Sequence, residues 1–442
     1  MRDRIMDKGK KRRRAIELAK DVLIVLLTCS ALWLVTRSQI MGSLSGLLQE
    51  EETVGGSYEN LGDTRADARP LRIVASLPGE TRTGRCGLQY DQTAVDGVFQ
   101  QVAGLLVETM SSAGEPEKVT RSQWEKALTT PPSICFDFQG EIPLSVLSGW
   151  LAGEEMDVEA TVRRLVLTTW ESGVALYYQD RAEGSYYRCL SEVANSQHLI
   201  EVLATLQDNG ALYAFESELY DWLDPDTLLT EPVPTPSVYQ AKNPLSGVQN
   251  ALEQIMAVLE LPISSSSFYS VGDERVARIG GDNLRLSGSG VLEYHAEEGS
   301  ALFPVSAQGG EASLFEIVER CRQLAAATVG ANAGQARLYF SGVRETDTGL
   351  EVAFDYCLNG IPVHLEEGDA AWFQVEDGRI TQFVLRYRSY TESGETSVVL
   401  PIRQAAAAME ALNLKGEELL LIYSDVGGET VSASWAAVES GT

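Results

Sequence analysis

Fourteen consecutive uncharged residues, Val22 to Val35, follow directly on the basic stretch KGKKRRRAIELAKD, and this pairing constrains the chain more than any other feature. As a helix rising about 1.5 Å per residue, the run alone covers only about 21 Å of a roughly 30 Å hydrocarbon core. The flanks lengthen it. Lys20 can snorkel toward one headgroup layer and Arg37 toward the other, so Leu18 to Ser38 forms a tolerable span. Beyond the run, Thr36 and Ser38 flank an arginine and no alanine is present, a poor site for signal-peptide cleavage. The sequence therefore predicts a retained anchor over residues 22–38. Residues 1–21 hold nine Lys and Arg against four acids, a tail of +5 expected to stay cytoplasmic with everything after the span outside. Within the span, Thr28, Cys29, Ser30 and Ala31 are small or weakly polar, the kind of residue through which helices pack closely in lipid, and they are candidate transmembrane contact residues.

The remaining residues carry 26 basic and 59 acidic side chains, or −33, which disfavours nucleic acid as a partner. With 44% hydrophobic residues the chain can build substantial cores. Residues 39–69 combine Gly, Ser and acids and read as a juxtamembrane linker. A first α+β unit is expected over 70–230. It contains a strand at LRIVAS, a helix from Thr93 to Ser111 with Val95, Val98, Phe99, Val102, Leu105 and Leu106 on one side, and a strand at PPSICFDF. Two overlapping capping boxes, Thr120 with Gln123 and Ser122 with Glu125, compete to start a short helix through Trp124. Four prolines in EPVPTPSVYQAKNP mark 231–244 as a stiff, extended linker, and a second α+β unit is expected over 245–442. There, Asn359-Gly360 and Asp377-Gly378 punctuate alternating strands and predict a four-strand antiparallel meander. The helix after it, LPIRQAAAAMEAL, should present Ala405, Ala408, Met409 and Leu412 to the sheet. The fold class is α+β, a single N-terminal transmembrane helix followed by an extracytoplasmic portion of mostly antiparallel sheets packed with helices.

Chemistry-bearing patterns are sparse. His198, His295 and His364 fall in different elements, and His198 reads as an exposed helix residue. Asp221, Asp224 and Asp226 could share a cation, but they lack the glycine and distal glutamate of a calcium loop and read as a solvated turn. Cys86, Cys135, Cys189, Cys321 and Cys357 form no CxxC pair; Cys135, Cys321 and Cys357 sit in apolar patterns as small buried hydrophobes, and whether any disulfide forms is left open. No catalytic, cofactor-binding or metal-binding residue is predicted, and no cofactor.

The layout resembles the YycH/YycI family, membrane-anchored accessory proteins of the YycG (WalK) cell-wall histidine kinase of Gram-positive bacteria. The resemblance is carried by the N-terminal span, LRIVAS, IPLSVLSGWL, VLEYHAEEG, and above all GLEVAFDYCLNGIPVHLEEGDAAWFQVEDGRITQFVLRYRSY followed by LPIRQAAAAMEAL and Trp435. In length the chain is more like YycH than the shorter YycI. The resemblance implies a non-enzymatic regulator in the cell membrane that modulates a two-component sensor kinase by protein contact, with a second anchored, YycI-like protein as a further partner. Two other classes stand beside this reading, a wall-side binding or chaperone module of PepSY-like type and an unrecognised surface hydrolase.

Overall fold

Runs of β-branched and aromatic residues broken by turn glycines dominate the chain, and the computed structural model, which describes residues 68–439 apart from 80–83, 172, 301, 307–311 and 415, assembles them into two large sheets. The described residues belong to one unit, Val54–Thr442. No helix among them is long and apolar enough to cross a membrane. The expected span 22–38, with Thr28, Cys29, Ser30 and Ala31, lies outside the described residues, as do the tail 1–21 and almost all of the juxtamembrane linker.

The first sheet uses strands β1 (Arg72–Leu77), β2 (Gly84–Leu88), β3 (Glu117–Val119), β4 (Ser133–Pro143), β5 (Thr161–Trp170), β6 (Gly173–Asp180) and β7 (Ser185–Ser191), in the order β2-β1-β4-β5-β6-β7-β3. Every neighbouring pair in it is antiparallel. Helices α1 (Gln92–Ser111), α2 (Arg121–Thr129), α3 (Leu144–Ala152) and α4 (Ser196–Leu203) belong to the same half. Helix α1 buries all six apolar residues that its periodicity predicts, each contributing about 1.5–3 kcal/mol in favourable burial. It starts just ahead of Thr93 because the Asp91 side chain accepts a hydrogen bond from the Ala94 N–H. Of the two capping boxes, the one formed is Thr120 with Gln123. One face of the sheet, with Ile73, Phe136 and Leu165, packs under α1, while the other, with Val74, Cys135 and Val166, meets Trp124 of α2.

A short pair, β8 (Leu212–Tyr213) and β9 (Leu228–Leu229), closes this half. Then come β10 (Ser237–Lys242), α5 (Ala251–Val258), β11 (Ser267–Val271), β12 (Glu274–Ile279), β13 (Asp282–Leu286), β14 (Val291–His295) and α6 (Leu314–Ala327). They are followed by β15 (Arg337–Glu345), β16 (Leu350–Leu358), β17 (Ile361–Leu365), β18 (Ala371–Glu376), β19 (Arg379–Arg386) and β20 (Ser389–Thr396). Helix α7 (Ile402–Ala411) and strands β21 (Glu417–Asp425), β22 (Thr430–Val431) and β23 (Ala433–Glu439) complete the chain. The second sheet runs β11-β12-β13-β14-β19-β18-β16-β17-β21-β23, with β15 paired to β16.

Three expectations change at this level. Within 231–244, expected as a stiff linker, β10 is a strand paired with β20 and β22, since Pro232, Pro234 and Pro236 all precede it and leave its own N–H groups available. The meander is rearranged. Asn359 and Gly360 do form the hairpin, both with positive φ (50° and 80°), but β17 and β18 each pair with β16 rather than with each other, and β17 continues as the parallel neighbour of β21. Helix α7 is rotated from its predicted setting: Ile402, Ala405 and Ala406 are buried, Met409 is half-buried, and Ala408 and Leu412 are exposed. Four consecutive alanines carry no periodic signal, so the bulk of Ile402 chooses the face, which seats against Leu419, Leu223 and Tyr220.

Candidate functional site

Charged residues inside buried strands build the most unusual feature of the molecule. All six residues of β1 are buried, Arg72 included. In the sheet Arg72 stands opposite Asp137 of β4, and Asp137 stands opposite Arg164 of β5, so the strand register itself creates a cation, anion, cation row. Beyond Asp137 the register shifts through a bulge at Gln139 (φ 69°), which is adjacent to Arg163. From the second half, Glu418 of β21 enters this row at 1% exposure.

The contacts are dense. Arg72 Nη1 and Arg164 Nη2 both donate to Glu418 Oε1 at 3.1 Å, and Arg163 Nη2 donates to Oε2 at 2.5 Å. Arg163 Nε donates to Asp137 Oδ1 at 3.1 Å, Arg164 Nε to Oδ2 at 2.9 Å, and Arg72 Nη2 lies 3.2 Å from Oδ2. At the margin, Asp226 sits 3.7 Å from Arg164 Nη1 and accepts from Arg121 Nη2 at 2.7 Å and from the Trp124 indole at 3.3 Å. Burial alone would raise both central carboxyls, but Arg163, Arg72 and Arg164 outweigh it, holding Asp137 well below the usual carboxylate range and Glu418 below it. Guanidinium groups do not give up protons near neutrality, and carboxylates locked in the ionised form by three cations are poor general bases. The arrangement fastens one half of the molecule to the other.

Two further joints lie alongside it. The β4 bulge runs against β15, where a Cβ on Gly140 would collide with the Phe340 carbonyl oxygen and come 2.8 Å from that of Ser341. Helix α3 meets α6: the Trp150 indole donates to Glu319 Oε2 at 3.0 Å, and its ring packs edge-on to Phe340 at 5.7 Å. The hairpin tip Asn359 also crosses over, accepting from the Gln92 N–H at 3.0 Å and donating to the Tyr90 carbonyl at 3.2 Å.

Other residues singled out in the sequence do not converge. His198 is half-buried rather than exposed, its Nε2 2.9 Å from the Gln101 carbonyl where α4 crosses α1, while His295 and His364 are exposed. Asp226 is not solvated but buried at 4% exposure, because Arg121 and Trp124 draw it inward; Asp224 accepts from its N–H, and Asp221 faces solvent. The five cysteines outside the expected span are buried and unpaired. Among the described residues, no group of three or more His, Cys, Asp or Glu could hold a metal ion. The ionic cluster went unpredicted, although a signal existed. Arg72 in LRIVAS, Asp137 in CFDF and Arg163-Arg164 in VRRLVL are charges embedded in otherwise apolar strands, a pattern that demands buried partners.

No protein-family profile and no curated protein matches the chain. Among solved structures it is similar to the crystal structure of YycH from Bacillus subtilis, with a TM-score of 0.51 and 11% sequence identity, over 88% of this chain and 95% of that one. The fold is therefore YycH-like, as the sequence resemblance implies.

Proposed function

We propose that this chain is a membrane-anchored, extracytoplasmic regulator that modulates a two-component sensor histidine kinase through protein contact, with a second anchored, YycI-like protein as a further partner. The observation that carries the reading is the YycH-like fold over 88% of the chain. Two features support it. The buried ionic cluster at Glu418 is saturated with its own ion pairs and serves to fasten the halves. The basic tail and apolar run at the N-terminus would hold the acidic portion outside the membrane, beside a sensor's own extracytoplasmic region.

The test uses the whole chain in its own membrane. Deleting the gene is expected to change the output of the neighbouring kinase pathway, and the affinity-tagged chain should recover the kinase from solubilised membranes. Exchanging residues 18–38 for a poly-Leu span of equal length, with the basic tail kept, should reduce that recovery at equal surface abundance if Thr28, Cys29, Ser30 and Ala31 form the helix contact. Full recovery with the poly-Leu span would move the contact to the extracytoplasmic portion. Unchanged pathway output in the deletion strain, together with no kinase recovered, would overturn the reading.

A further inference from the structure

A cleft of about 280 Å³ opens where the first described residues meet the second half of the molecule. Its apolar wall is Leu71, Ala336 and Leu338, and Gly330 keeps it open, since a Cβ there would come within 3.2 Å of Leu338 Cδ1. Two arginines stand in the lining, Arg69 from the start of the first half and Arg337 from β15 of the second. They share one carboxylate: Arg69 Nη1 and Arg337 Nη1 lie 2.9 and 3.1 Å from the same oxygen of Asp96, whose other oxygen accepts from Gln92 Nε2 at 2.6 Å. The Cys357 thiol, which also lines the cleft and is kept neutral by burial, and the Asp96 carboxylate are the groups that act on Arg337. One charge of two is thus neutralised, leaving a net positive charge beside an apolar cleft in a protein whose overall charge is −28.

We propose that this cleft binds the carboxylate of a small monoanion with a short apolar tail. The charge balance decides the headgroup. A net single positive charge presented by planar guanidiniums suits one carboxylate, which the forked donors can grip in a bidentate way. The apolar wall and the limited volume select a short aliphatic tail over a sugar or a nucleotide. Such a group is offered by a free branched-chain acid and equally by the C-terminal residue of a peptide. Occupancy would tie Arg69 and Leu71, at the start of the described residues, to β15 of the second half. Binding is read on the protein alone, so it does not depend on the kinase reading.

The experiment titrates the full-length chain in detergent micelles with isocaproate and with acetyl-alanyl-leucine, each against its amide, by calorimetry. Saturable millimolar binding of at least one acid, with no binding of its amide, is expected, and whichever acid binds more tightly identifies the source. Arg337→Gln should weaken binding about tenfold, and Asp96→Asn, which unmasks the second arginine, should tighten it. Opposite signs from two neighbouring substitutions cannot come from loss of folding. Equal binding of acid and amide, no saturation in the millimolar range, or the same direction of change in both variants would overturn the proposal.

Discussion

Glu418→Gln is expected to lower the stability of the protein by about 3–5 kcal/mol, the usual consequence of removing one partner from a buried ion pair. Glu418 is 1% exposed and receives Arg72, Arg163 and Arg164. A neutral amide in its place leaves three buried cations facing Asp137 as the one remaining central anion. Urea unfolding followed by tryptophan fluorescence measures the loss, with Trp124 reporting from the cluster margin, where its indole bonds Asp226. The double substitution Arg72→Met with Glu418→Leu removes a cation and an anion together and should be less damaging than Glu418→Gln alone. An unchanged midpoint for Glu418→Gln would show that the cluster does not fasten the halves. The pH dependence follows from the same pair. Both carboxyls are depressed in the folded state, so their contribution is present above the unfolded values of about 4 and is lost as pH falls through the lower folded ones. Acid unfolding of the wild type should therefore be steep below about pH 4, and the Gln variant should show a shallower slope there.

Gly140→Ala is expected to cost about 3 kcal/mol, at the upper end of what overpacking causes, because the obstacle is backbone rather than a movable side chain. The added Cβ would overlap the Phe340 carbonyl oxygen and press on that of Ser341, at the point where the β4 bulge meets β15. Relief requires the two strands to separate, and Phe340 also packs against Trp150 and Phe354. The measurement is again the denaturation midpoint, supplemented by proteolysis at residues 231–236, which precede β10 in the connection between the halves. The wild type should keep both cleaved fragments associated on gel filtration, whereas the Ala variant should release them more readily. A variant with wild-type stability would mean that the close approach can relax without cost.

Much of the local structure was legible because its causes are local. Helix α1 follows from apolar residues at helical spacing, and the turns at Asn359-Gly360 and Asp377-Gly378 follow from residues that tolerate positive φ. The rotation of α7 was not legible, since its alanines fit either face and the choice belongs to the surface beneath. Nor could the destination of β17 be read from the chain. An Asn-Gly turn fixes the partner before it, in this case β16, and says nothing of the parallel strand β21 on its far side.

By itself, the sequence determined the class of protein: an acidic, mixed α+β chain behind a basic and apolar N-terminus, with a YycH-like layout that the fold bears out. These are properties of composition and of neighbours a few residues apart, where periodicity and backbone preference act. Only the tertiary structure decided which charges meet. Glu418 meets Arg72 across 346 positions of sequence, and Arg337 meets Asp96 across 241. No short-range preference connects such residues. They are brought together by the packing of one half on the other, of β21 against the first sheet and of β15 beside helix α1, and for the fully buried pair the cost of leaving a charge unpaired then holds it in place.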